Sequence, residues 1–229
     1  APGQTNRWTG VNSTAWNLGA NWSLGHPPIA EEFVLIPFGC PRYPVLDTAK
    51  TFSGLEIQSG ASLILAGNNL TLTANAVVAG ALTASNAEMI VLQGDVSFAG
   101  GTFTQAYSTI SFAGSGSQSV NLADLTFYKV NVANPGTVAF TNGFSAYELL
   151  CKPSSNEMRS MVFEKGKTVS LYGLELLSAI GTTNIILRSS SAGQQWRLVV
   201  SGAHSVRGVD VQDSDASAGQ TIYASGSRD

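Results

Sequence analysis

The chain has 229 residues and a formal net charge of −3, and charged side chains make up 12% of it. That fraction is about half the roughly 25% usual in soluble globular proteins, so Ser, Thr, Asn, Gln and Gly must supply the polar surface. Lysine and arginine are scattered, which argues against a nucleic-acid partner because phosphate binding needs clustered cations. No apolar run approaches the roughly 18–20 residues that span a bilayer, so membrane insertion is not predicted.

Three of the four tryptophans lie close together near the start of the chain, at Trp8, Trp16 and Trp22. A stack of β-coils needs a cap over its first apolar face, and an indole can bury its ring while its N–H reaches a polar partner. We therefore predict that residues 1–46 form an N-terminal capping segment with an aromatic cap. The alternative is a carbohydrate-binding platform, in which exposed faces of these three indoles stack on sugar rings.

Short apolar runs that end in Gly, Asn or Ser follow one another from Phe52 to Tyr223, and helix signals are scarce. A typical stretch reads "LEIQSGASLILAGNNLTLTANAVVAGALTA", with a period of roughly 20–25 residues. One such coil cannot bury its apolar residues alone, whereas stacked coils build a continuous core. The sequence predicts an all-β fold: a single-stranded right-handed parallel β-helix, with repeats over residues 47–229 as one continuous domain. The alternative is a β-sandwich, which the near absence of hairpin turns disfavours.

The two cysteines, Cys40 and Cys151, do not form a C-x-x-C motif, so a zinc ribbon or a thioredoxin-like site is excluded. They lie about five coils apart, which at about 4.8 Å per coil separates them by roughly 24 Å. A disulfide needs Cα atoms within about 7 Å. A regular solenoid therefore predicts no bridge within the chain.

One acidic stretch, "DVQDSDASAG", places oxygen-bearing side chains at alternate positions, at Asp213, Asp215 and Ser217. This arrangement resembles the start of a calcium loop, but the later positions of such a loop are not matched. A solvated polar turn is the favoured interpretation and calcium the alternative. No other cofactor is predicted.

Signatures of enzymes are missing from the sequence. H-E-x-x-H, G-x-S-x-G and phosphate-binding loops do not occur, and His26 and His204 have no partner at metal spacing. A glycosidase needs only two carboxylates at the right separation, and polysaccharide lyases on β-helices use aspartates with Lys or Arg, for which Asp210–Asp215 with Arg207 is the tightest grouping. We predict no enzymatic activity, with a polysaccharide lyase or hydrolase as the alternative.

Two stretches resemble a known kind of module. "RWTGVNSTAWNLGANWSLGHPP" followed by "FVLIP", and the closing "NIILRSSSAGQQWRLVVSGAHSVRGVDVQDSDASAG", are similar to the ends of parallel β-helix modules in large secreted bacterial surface proteins of adhesin-like type. The opening "APGQTNRW" is typical of a mature end left after a signal peptide is removed. The resemblance implies a secreted, cell-surface structural or adhesive protein, whose partners are other copies of itself in a head-to-tail fibre or cell-surface glycans.

Overall fold

The computed structural model describes residues 3–154 and 157–229, and within them the chain is all β apart from one short 3₁₀ helix at Gly19–Asn21. The chain divides into two compact units, Ala1–Thr109 and Ile110–Asp229. The boundary predicted between the cap and the repeats, at 46/47, lies inside the first unit. No helix in the described residues is long and apolar enough to cross a membrane.

The first unit carries eleven strands. They are β1 (Thr5–Arg7), β2 (Phe33–Ile36), β3 (Lys50–Phe52), β4 (Gly54–Ile57), β5 (Ser62–Ile64), β6 (Leu70–Leu72), β7 (Ala76–Val78), β8 (Ala81–Thr83), β9 (Met89–Leu92), β10 (Val96–Ser97) and β11 (Thr102–Thr104).

These strands form three sheets, in the orders β1-β2-β4-β7-β10, β3-β6-β9 and β5-β8-β11. Each sheet takes one strand from each successive coil, and the pairs are parallel. Leu63, Leu82 and Phe103 lie in register on neighbouring strands of one sheet. The registers are those of a parallel β-solenoid, which confirms the predicted fold and excludes the sandwich.

The second unit continues with thirteen strands, the first of which begins at the last residue of the first unit. They are β12 (Thr109–Phe112), β13 (Gln118–Asn121), β14 (Thr126–Val132), β15 (Thr137–Phe140), β16 (Phe144–Cys151), β17 (Arg159–Phe163), β18 (Thr168–Leu177), β19 (Ile185–Ser189), β20 (Trp196–Val200), β21 (His204–Arg207), β22 (Val209–Val211), β23 (Ser214–Asp215) and β24 (Ala224–Ser225).

Two sheets dominate this unit, in the orders β13-β15-β17-β19-β22 and β12-β14-β16-β18-β20-β23, while β21 pairs with both β18 and β24. Its strands are longer than those of the first unit, and β18 spans ten residues. Aromatic rings stack inside the coils, with centroids 5.3 Å apart for Phe140–Phe163 and 4.0 Å apart for Phe163–Trp196. The second unit is therefore also a parallel solenoid, with an aromatic ladder in its core.

Both cysteines are free thiols, as the spacing predicts. Cys40 is half-buried in the first unit, and Cys151 is fully buried at the end of β16 in the second.

Candidate functional site

The three tryptophans of the predicted cap are buried. Trp8 and Trp16 are fully covered, and Trp22 is 3% exposed. Their rings pack edge to face, with centroids 4.9 Å apart for Trp8–Trp22 and 4.7 Å apart for Trp16–Trp22. The indole N–H of Trp8 donates to the Arg42 carbonyl at 2.7 Å, and that of Trp22 donates to the Trp16 carbonyl at 2.7 Å. The cluster is an aromatic cap, in which the rings are inside and the paired N–H groups reach backbone oxygens.

Burial also bears on the alternative role of Trp8, Trp16 and Trp22 as a sugar platform. Stacking on a sugar requires a ring face that meets solvent, and these indoles present none. Part of the cover over Trp8 is the backbone of Gly10. This residue has a φ of +62°, and a Cβ there would lie 2.7 Å from the Trp8 Nε1 atom. The three indoles therefore have no exposed face on which a sugar ring could stack.

The cap covers the outer edge of β1 as well. The Ser23 N–H donates to the Arg7 carbonyl at 2.9 Å, and the Arg7 N–H donates to the Ser23 Oγ at 2.9 Å. One step along, the Thr9 N–H donates to the Asn21 carbonyl at 2.8 Å. These groups are the ones that a neighbouring strand would otherwise pair with, so the first sheet of the first unit begins with an edge that is already bonded.

The predicted calcium residues lie in and beside β23 of the second unit: Asp215 is in the strand, Asp213 precedes it in a bend and Ser217 follows it in a turn. Asp213 has a φ of +58° and its Oδ2 accepts the Gly193 N–H at 3.0 Å. The Oδ1 of Asp215 accepts the Ser217 hydroxyl at 2.6 Å and the Ser217 N–H at 3.0 Å, and these bonds hold the pKa of Asp215 below its ordinary value. No three His, Cys, Asp or Glu side chains in the described residues are placed to hold a metal ion. Calcium binding here stays a prediction, and the carboxylates serve the turn itself.

A stack of three tyrosines stands on the outer surface of the second unit. Tyr128 on β14, Tyr147 on β16 and Tyr172 on β18 have ring centroids 5.1 Å and 4.8 Å apart, with their planes inclined by 6° and 16°. The spacing matches the roughly 4.8 Å between hydrogen-bonded strands, so aligned residues in successive coils stack directly. Beyond Tyr172 comes Gly202, where a Cβ would lie 2.8 Å from the ring. Glycine there lets the last ring lie against the next coil.

The stack sits at a corner where two successive side chains face outward. On β16, Ala146 and Leu149 are buried while Tyr147 and Glu148 between them are not. The matching position beside Glu148 on β18 is Gly173, which has no side chain. The sheet surface therefore steps down next to the tyrosines.

This step forms a groove with a volume of about 270 Å³. Its lining consists of Tyr147, Glu148, Tyr172, Gly173, Leu174, Glu175, Ala203, His204 and Ser205.

Gly173 is the residue that opens the groove. A Cβ at this position would meet nothing closer than the Tyr147 carbonyl oxygen at 3.3 Å, and the backbone there has no positive φ. Glycine inside a strand is destabilising by roughly 0.5–1 kcal/mol relative to alanine, and it often marks a place where another molecule approaches the backbone. The contact of 3.3 Å is a tight one for a Cβ, so close packing against the Tyr147 carbonyl favours glycine here, and the missing side chain also deepens the groove.

Two carboxylates line the groove, and each is paired on its outer side with a lysine. Glu148 Oε2 lies 2.7 Å from Lys129 Nζ, and Glu175 Oε2 lies 2.6 Å from Lys152 Nζ. The hydrogen bond from Lys129 to Glu148 raises the pKa of that lysine. Neither glutamate is fully buried, since their side chains are 25% and 27% exposed. Each carboxylate is thus fixed by one ion pair, and an ionised carboxylate has room for several hydrogen bonds.

His204 lines the groove from β21, which pairs with β18 in the next coil. Its Nε2 accepts the Tyr223 N–H at 3.2 Å, and the two rings stack with centroids 6.2 Å apart. That bond places the proton of a neutral imidazole on Nδ1. Within the described residues, the Nδ1 atom is buried and has no hydrogen-bond partner. An unpaired buried donor costs about 1–3 kcal/mol, so a partner at this position would be stabilising.

The arrangement can recognise a ligand through a few polar groups around an aromatic wall. Pockets for small ligands combine apolar or aromatic walls with a small number of placed polar groups. Here the walls are Tyr147 and Tyr172, whose phenolic hydroxyls supply donors, and the acceptors are Glu148 and Glu175. The groove is formed by side chains from three neighbouring coils, so it exists only when the coils are stacked.

No motif in the sequence predicts this group of residues. Tyr147 and Glu148 are adjacent on β16, and Tyr172 and Glu175 lie three residues apart on β18, but no fixed spacing links the two strands. His204 has no partner in the sequence at the spacing of a metal site. The one signal in the sequence is Gly173 inside the apolar run "TVSLYGLELL", where a glycine interrupts an otherwise strong strand pattern.

Comparison of the chain with protein-family models, with curated proteins and with solved structures gave no match. The assignment of a function therefore rests on the residues and their geometry.

Proposed function

We propose that this chain is an extracellular adhesive module, in which stacked β-coils present the groove beside Tyr147 and Tyr172 to a partner outside the cell. The groove is the observation that carries the proposal, because it combines half-exposed tyrosine rings with carboxylates that are fixed by ion pairs. Parallel coils hold its walls through main-chain hydrogen bonds, so the partner meets a surface that is already formed.

The extracellular location is supported by composition and by the resemblance of the two ends of the chain to modules of secreted surface proteins. A charged fraction of 12%, with polar surface supplied by small uncharged residues, fits a secreted β-rich protein. Bacterial origin belongs to the same proposal.

Adhesion is favoured over head-to-tail fibre formation by the covered edge of β1. A fibre joined through sheet edges needs unpaired N–H and C=O groups on both surfaces that meet. Arg7 and Thr9 already have partners in Asn21 and Ser23. The structural role we propose is therefore that of a scaffold for a binding surface.

Cleavage of a polysaccharide is the second candidate, because two glutamates line the same groove. Glycoside hydrolysis needs one carboxyl group that is protonated and can donate its proton to the leaving group. Both Glu148 and Glu175 are instead ion-paired with lysines at 2.7 Å and 2.6 Å, so neither carboxyl group stands apart from a cation to serve as that donor. We propose that the groove binds without cleaving.

The test of adhesion is retention of the labelled chain on immobilised surfaces: insoluble polysaccharides, an extracellular-matrix protein and whole cells. We expect retention on at least one surface, a clear loss for Tyr147→Ala with Tyr172→Ala, and no loss for Tyr107→Ala, which removes an exposed tyrosine outside the groove. The proposal is wrong if the chain is retained nowhere. Release of reducing ends or of unsaturated sugars from a retained polysaccharide would establish cleavage instead.

A further inference from the structure

We infer that the groove is a binding site for a neutral, hydroxyl-rich saccharide. The inference rests on the adhesive function proposed above and names the chemical class of its partner. It is carried by three features of the groove: which part of each tyrosine ring is exposed, the charge that faces the ligand, and the depth left by Gly173.

The tyrosines offer their edges, because their faces are occupied. Tyr147 lies between the rings of Tyr128 and Tyr172, and Tyr172 lies between Tyr147 and the backbone of Gly202. Yet Tyr147 and Tyr172 are 48% and 50% exposed. A cation is attracted to the face of an aromatic ring, whereas the ring edge carries the positive end of the quadrupole and the phenolic hydroxyl. Such an edge suits the oxygen atoms of a polyol better than an ammonium group.

Carboxylate groups face the ligand on two sides of the groove, and each of them is ion-paired with a lysine. Glu148 and Glu175 both line the groove, while the lysines that pair with them lie outside its lining. An acidic sugar would bring a third carboxylate toward two others, and repulsion of that kind is how sites exclude a wrong partner. Neutral hydroxyl groups can donate to both glutamates, because an ionised carboxylate only accepts.

The same hydroxyl groups can accept as well as donate. Their oxygen atoms can accept hydrogen bonds from the phenolic hydroxyls of Tyr147 and Tyr172, whose side chains are half-exposed. Hydroxyl groups thus satisfy both donors and acceptors of one groove, which an ammonium ligand with donors alone cannot do.

The depth of the site depends on Gly173. The absent side chain lowers the floor beside Glu148, and the residue in the next coil, Ala203, is also small. A valine at 173 would place methyl groups in the groove, and the Tyr147 carbonyl oxygen, 3.3 Å from its Cβ, would have to shift by a few tenths of an ångström. The matched control is Gly116→Val, because a Cβ at Gly116 meets nothing within 4 Å and its φ is not positive.

The experiment is titration calorimetry of the full chain with neutral gluco-, galacto- and manno-oligosaccharides, and with uronic-acid oligosaccharides of matched length. We expect at least one neutral series to bind, with the uronic-acid series at least tenfold weaker. Gly173→Val should weaken that binding at least tenfold, while Gly116→Val leaves it within twofold of the wild type. Thermal unfolding checks that both variants are folded.

A second variant keeps the test decisive if Gly173→Val fails to fold. Glu148→Gln with Glu175→Gln preserves the shape of the groove and removes its charge, so the preference for neutral over acidic sugars should shrink at least fivefold. Equal or tighter binding of uronic acids or of amino sugars by the wild type would overturn the inference, as would binding unchanged by both groove variants. If the chain adheres to a surface but binds no neutral saccharide, the inference fails while the adhesive function stands.

Discussion

Glu88 shows how a single carboxylate can join two coils of the first unit. It is 1% exposed, and its Oε1 accepts the N–H groups of Gly67 at 2.8 Å and Ser85 at 2.7 Å, while Oε2 accepts that of Asn86 at 2.8 Å. Gly67 lies in the turn of the preceding coil. Burial acts to raise the pKa of Glu88, but the backbone N–H groups outweigh it, so the pKa lies below its ordinary value.

Replacing Glu88 should therefore destabilise the first unit. Glu88→Ala removes three part-buried hydrogen bonds to backbone N–H groups, which at about 0.5–1 kcal/mol each lowers the free energy of unfolding by about 2 kcal/mol. Glu88→Gln keeps one acceptor oxygen and should lose less than Glu88→Ala. Urea unfolding at pH 7 measures both differences.

The contribution of Glu88 also has a defined pH dependence. Because its pKa is depressed by folding, the stabilisation is present above the ordinary value of 4.5 and is lost as the pH falls toward the lower pKa of the folded chain. The difference in stability between wild type and Glu88→Gln should shrink between pH 7 and pH 3. A difference that stays constant over this range would contradict the assignment.

The two thiols should differ in reactivity. Burial raises the pKa of Cys151 to about 12, against an opposing effect of Arg159, and burial also raises the pKa of Cys40, against an opposing effect of Arg7. A thiol reagent at pH 8 should modify Cys40 slowly and Cys151 only after unfolding in urea, since the thiolate is the nucleophile. Two reactive thiols in the native chain would contradict this.

The raised pKa of Cys151 has a consequence for stability. The neutral thiol is favoured by folding, so its contribution is full below the ordinary value of 9.0 and is lost as the pH rises toward about 12. In urea unfolding between pH 8 and pH 11, Cys151→Ala should therefore lose less stability with rising pH than the wild type does. Cys40→Ala, which removes the less buried thiol, should change this pH dependence less.

At the scale of the strand, alternation in the sequence predicted the core well. In "SLILAG", Leu63 and Leu65 are buried and Ile64 between them is exposed, as period-two patterning requires. The turns that separate the runs could likewise be read from Gly and Asn. The lengths of the coils could not be predicted from the sequence, because they vary. Leu63 pairs with Leu82 after 19 residues, whereas Leu171 pairs with Val200 after 29.

The groove could not be predicted for the same reason. Tyr128, Tyr147 and Tyr172 stack because their strands are in register, and their unequal separations in the sequence give no fixed period. Their corner also breaks alternation, since Tyr147 and Glu148 both face outward. A change of direction in a strand depends on the coil above and below, which no local pattern records.

The tyrosine stack should contribute to the stability of the second unit. Tyr147 stacks on two rings and Tyr172 on one, and an aromatic pair contributes about 0.5–1.5 kcal/mol beyond its buried area. Tyr147→Ala should therefore lower the free energy of unfolding by about 1–3 kcal/mol and Tyr172→Ala by about half as much. Tyr147→Phe keeps the stack and is the control. If the two alanine variants lost the same free energy of unfolding, the stack would not behave as the sum of its two ring pairs.

The covered edge of β1 leads to a prediction about how copies of the chain associate. Open edges of β-sheets pair with other chains, and natural proteins blunt them. In this chain a single residue, Ser23, holds both backbone groups of Arg7 that would face a second copy. Two units of solenoid with this edge bonded should remain single molecules in solution.

Ser23→Pro tests that expectation directly. Proline removes the N–H that donates to Arg7 and the Oγ that accepts from it, and the preceding Trp22, at φ −120° and ψ 144°, already has a conformation that proline tolerates. Sedimentation velocity should give the wild type one concentration-independent species, while Ser23→Pro associates as concentration rises. Ser23→Ala keeps its N–H and should behave as the wild type. If the wild type itself assembles into fibres, the edge of β1 is not what limits association, and the role of the chain shifts from adhesion toward assembly.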